Sequence, residues 1–88
     1  MYLLINIYES EGTSAYVNEV KQFNTEEDAE TQMKKDVEQA FSDYHETWSA
    51  ENEDEEHEPY VDEDDTSMFI CGYDYKDMWQ IYKLWWEF

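Results

Sequence analysis

Residues 24–48 read NTEEDAETQMKKDVEQAFSDYHETW, and the spacing of their apolar side chains predicts one long helix. Asn24 or Thr25 can cap the free backbone N–H groups, and Glu26, Glu27 and Asp28 then sit at the positive end of the helix dipole. Ala29, Met33, Val37, Ala40, Phe41, Tyr44 and Trp48 recur at intervals of three and four, a single stripe suited to burial against a sheet. Asp28, Lys35, Glu38 and Glu46 fall on the opposite side, flanked by Asp36 and Asp43.

Outward from the helix, each flank reads as a β-hairpin. Tyr2 to Tyr8 is dense in β-branched and aromatic residues, with Leu3, Ile5 and Ile7 on one face and Tyr2, Leu4 and Tyr8 on the other, as in a strand covered on both sides. Residues 9–14 have turn composition, and Ala15 to Phe23 returns as a more polar strand. After the helix, residues 67–73 and 78–85 read as two further strands joined by the turn Asp74–Asp77. The expected fold is α+β: a four-stranded antiparallel sheet from two hairpins, with one helix packed on one face in the order ββαββ. Residues 1–88 then form a single domain, the segment at about 50–66 being an acidic loop. Ten of the fifteen residues from Glu51 to Asp65 are acidic, and such a run cannot bury its side chains.

Composition narrows the function. Twenty-four Asp and Glu stand against five Lys and no Arg, a formal net charge of −19 where small domains carry about 2 to 8 of either sign. Direct nucleic-acid binding is excluded, because it rests on Lys and Arg neutralising phosphates. Disorder is also disfavoured, since 41% of residues are apolar and 18% aromatic. A lone cysteine, Cys71, makes no internal disulfide and, with the absence of a signal-like or membrane-spanning segment, points to the cytoplasm.

Chemistry is sparse. Zinc would need clustered Cys and His, whereas His45 and His57 stand apart. Asp62 to Asp65 offer hard oxygens, but without the spacing and turn glycine of a calcium loop. Cys71 lies in an apolar strand and reads as core, as do Trp48 and Trp79, and both histidines read as solvated surface. Neither an enzyme nor a cofactor is expected.

The carboxylates are therefore the feature to explain. Duplex DNA carries one charge per roughly 1.7 Å of axis and is met by Lys and Arg clefts, which a rigid array of carboxylates can also occupy. In its length, its missing Arg, the acidic run Glu51–Glu58, the acids Asp62 to Asp65 and its aromatic hairpins, the chain resembles the small acidic inhibitors of phages and mobile elements, the anti-CRISPR and DNA-mimic anti-restriction proteins. The resemblance implies an inhibitor that covers the basic DNA-binding cleft of a nuclease or other nucleic-acid-binding protein, a CRISPR effector first among them. Charge density selects Glu53, Asp54, Glu55, Glu56, Glu58, Asp62, Glu63, Asp64 and Asp65 as its contacts, supported by Asp36 and Asp43. The alternative is an acidic interaction adaptor with no inhibitory role that uses the aromatic ending Leu84-Trp85-Trp86-Glu87-Phe88; in either role the protein is expected to be a monomer or a homodimer.

Overall fold

The computed structural model describes residues 1–51, 58–64 and 66–84. Its elements run β1 (Tyr2–Ser10), β2 (Tyr16–Phe23), α1 (Glu26–Glu51), β3 (Tyr60–Asp64), β4 (Ser67–Cys71) and β5 (Tyr75–Lys83). The class is α+β, as expected, but among the described residues the sheet has five strands in the order β2-β1-β5-β4-β3, every neighbouring pair antiparallel. The fifth strand corrects the four-stranded expectation. Tyr60 to Asp64, read as loop because their charges cannot be buried, pair with Cys71 to Ser67. Strand pairing satisfies the backbone without burying side chains, and at a sheet edge all five side chains stay exposed. Charge there also discourages unwanted edge-to-edge pairing.

Helix α1 spans 26 residues, about 39 Å, and lies across one face of the sheet. Thr25 is the cap: its hydroxyl accepts the Asp28 amide at 3.1 Å. Ala29, Met33 and Val37 are buried against Leu4, Ile70, Trp79 and Ile81, with Ala40, Phe41 and Tyr44 packed around them. The predicted stripe is thus the core. Trp79 is core as expected, whereas Trp48 is half-buried and Cys71 lies outside the buried core, on the sheet face away from the helix. No helix among the described residues is long and apolar enough to cross a membrane.

Two turns are tied together at one end of the sheet. Gly12 adopts φ of 85°, a left-handed conformation that glycine takes without strain, and the neighbouring Glu11 amide donates to the Asp74 carbonyl at 2.7 Å. The second turn is shorter than expected: β5 already begins at Tyr75, and the Gly72 amide donates to the Tyr75 carbonyl at 3.0 Å. A side chain at Gly72 would overlap the Tyr75 ring, so the turn closes tightly only around glycine. Because of this, Asp77 lies within a strand rather than a turn.

Strand β1 is interior to the sheet, between β2 and β5, yet among the described residues only its Leu4 and Asn6 side is covered by the helix. Leu3, Ile5 and Ile7 are half-buried on the other side.

Candidate partner interface

The edge strand β3 carries three of the candidate contacts. Asp62 and Asp64 alternate with Glu63, so the first two share the helix-free face, about 6.8 Å apart along the strand, while Glu63 faces the helix side. The Glu63 amide donates to the Asp62 carboxylate at 2.9 Å, which leaves that side chain leaning along the strand. Glu58, just before β3, approaches His45 Nε2 at 3.3 Å, and the imidazole packs between Phe41 and Trp48 with centroids 5.8 and 5.2 Å away. His45 is accordingly half-buried rather than freely solvated.

The two helix carboxylates do not join this group. Asp36 sits toward β2, the opposite sheet edge, where Lys21 Nζ donates to it at 2.9 Å and Gln32 donates at 2.8 Å. This bond holds the Lys21 ammonium above its ordinary pKa. Asp43 is exposed along the helix and accepts from Gln39 at 3.3 Å. Sequence reasoning pooled these two acids with the β3 acids by charge alone; the fold separates Asp36 from them by the full width of the sheet. Glu53, Asp54, Glu55, Glu56 and Asp65 lie outside the described residues, as do His57 and the aromatic ending from Trp85. Among the described residues no group of three or more His, Cys, Asp or Glu could hold a metal ion.

A buried polar network went unnoticed in the sequence. Asp77 and Asn6 are 6% and 5% exposed. Asn6 Nδ2 donates to Asp77 Oδ1 at 2.6 Å and to the Met78 carbonyl at 3.0 Å, while Tyr44 donates its hydroxyl to Asp77 Oδ2 at 2.7 Å. A β-bulge in β2 leaves Asn18 extra in the register, and its amide closes the network by donating to Asn6 Oδ1 at 2.9 Å. Among the described residues no buried side-chain nitrogen or oxygen lacks a partner. The signal was available as parity: Asp77 shares its strand face with Trp79 and Ile81, and Asn6 shares its own with Leu4.

Around Asp77 the tyrosines cluster, Tyr44 tilted against Tyr75 with centroids 4.6 Å apart and Tyr75 stacked on Tyr8 at 6.4 Å. Burial, then the bond to Asp77, pushes the Tyr44 phenol well above its ordinary value, and burial pushes Tyr75 up to about 12. A raised acid pKa means the folded state holds the proton more tightly. The stability it represents is complete below pH 10, the unfolded value, and falls as pH rises above it. Thermal melts should therefore show a midpoint that falls as pH rises from about 10 to 12, with a shallower fall in Tyr44→Phe; equal slopes would dismiss the assignment.

Comparison with protein families, with curated proteins and with solved structures yields no match for this chain.

Proposed function

We propose that the protein is an acidic inhibitor that binds the basic, DNA-binding cleft of a nucleic-acid-processing enzyme, a CRISPR effector nuclease before others, and excludes DNA by mimicking its charge. The observation that carries this reading is the edge strand β3. Asp62, Glu63 and Asp64 are exposed on a strand held by its ladder to β4, so the carboxylates reach a partner with little further ordering of the backbone. Net charge supports it from a distance, since a field of −19 steers cationic clefts toward the protein and repels nucleic acid itself. No catalysis is needed. Glu58, just before β3, extends the anionic surface, whereas Asp36, bound to Lys21 at the other edge, contributes less than its charge suggests.

The test is capture of tagged protein on cells expressing CRISPR effectors and restriction enzymes, washed at low and then high salt. The expected result is a nuclease retained at low salt, released at high salt and displaced by DNA. The triple substitution Asp62→Asn, Glu63→Gln, Asp64→Asn should weaken that capture by about tenfold, roughly 0.5 kcal/mol for each exposed charge. Unchanged capture would remove β3 from the interface. Recovery of a salt-resistant partner that binds no nucleic acid would replace mimicry with the adaptor role.

A further inference from the structure

We infer that the helix-free face of the sheet is the docking surface, and that it takes a protein whose apolar patch adjoins a cluster of Lys and Arg. This deepens the inhibitor reading and rests on it.

An uncovered antiparallel face is normally polar in alternation with the core. Here the strand register instead lines up Val17, Ile7, Met78 and Phe69 across four adjacent strands, ending on Asp62 of β3. The next row runs Val20, Ile5, Gln80, Ser67 and Asp64, apolar on the β2 and β1 side and polar beyond it. The two valines are 56% and 52% exposed, on an edge strand with nothing over them among the described residues. The face therefore grades from apolar at β2 to anionic at β3. At the boundary, Lys76 Nζ stands 4.5 Å from the centre of the Phe69 ring, a cation–π contact that holds this lysine over the apolar row.

Size and charge choose the occupant. Five strands of five to nine residues, spaced by about 4.8 Å, present roughly 600 Å² including the acidic β3 side, less than the roughly 800 Å² each partner contributes to a standard stable interface. Apolar contact over that area needs electrostatic help. A second copy brings −19 against −19 and supplies repulsion, while a cationic partner supplies attraction along the Asp62–Asp64 side.

The probes are a short peptide of alternating leucine and lysine and a lysine-only peptide of equal length, titrated into the full chain and followed by backbone amide shifts. The leucine–lysine peptide should move Val17, Ile7, Met78 and Phe69 and stay bound at about 0.3 M salt, where the lysine-only peptide is released. Val17→Thr with Val20→Thr keeps β-branched side chains at exposed positions and should weaken the leucine–lysine peptide by about tenfold, leaving the lysine-only peptide unaffected. If both peptides bind and the double variant changes neither, the helix-free face is not the interface while the charge reading stands. If neither peptide binds at low salt, the charge reading falls as well. Self-association that the double variant abolishes would give the face to a second copy, and contacts from Trp85, Trp86 or Phe88 to Val20 in the free protein would give it to the chain's own end; either result overturns the proposal.

Discussion

Replacing Asp77 with alanine should destabilise the protein by about 2–4 kcal/mol, the largest effect expected of any single substitution described. The carboxylate accepts from Asn6 on one oxygen and from Tyr44 on the other, and both donors turn toward the core. Removing it orphans the Tyr44 hydroxyl and leaves Asn6 with only the Met78 carbonyl for that amide, each unmet donor costing roughly 1–3 kcal/mol. A domain of this length has a total stability of only about 4–13 kcal/mol, so the denaturant midpoint should fall by a large fraction. Asp77→Asn, which keeps one acceptor, should fall between the variant and the parent. Asp43→Ala, at an exposed position, should move stability by less than about 0.5 kcal/mol. An Asp77→Ala protein as stable as its parent would mean that the network specifies geometry without contributing stability.

The second large effect concerns charge. Raising sodium chloride from 10 mM to 1 M shortens the screening length from about 30 Å to about 3 Å. Taking roughly 0.2 kcal/mol of repulsion for each of the 19 excess negative charges, and allowing the unfolded chain half as much, salt should add about 2 kcal/mol of stability. For a chain of this size that is a rise of about 8–16 °C in the thermal midpoint. A flat midpoint would show that the fold spaces its carboxylates widely enough to suffer no net repulsion, which would weaken the case that −19 is retained for binding.

Several elements were legible because their signals are local. The apolar interval along Ala29, Met33 and Val37 needs no knowledge of the sheet to predict a helix and its buried side, and Thr25 before three acids marks its start. The two hairpins around it follow from period-two runs separated by turn residues. The strand Tyr60–Asp64 escaped because charge argues against burial, not against strand pairing, and only a partner such as β4 reveals the difference. Asp77 escaped because an aspartate beside Lys76 and after Asp74 has turn composition, although its parity with Trp79 pointed inward.

Of the candidate interface, the sequence supplied the charge but not its arrangement. Net charge, the missing arginine, the helix and the hairpin on each side of it are properties of composition and short-range spacing, determined before any chain folding. Tertiary structure decided which carboxylates stand together, because strand order sets Asp36 at the β2 edge and Asp62 and Asp64 at the β3 edge. It also decided that one face of β1 is uncovered among the described residues. A period-two pattern states that a strand has two sides; which of them the single helix covers depends on long-range pairing and on the bulge at Asn18, and neither is encoded in any one segment.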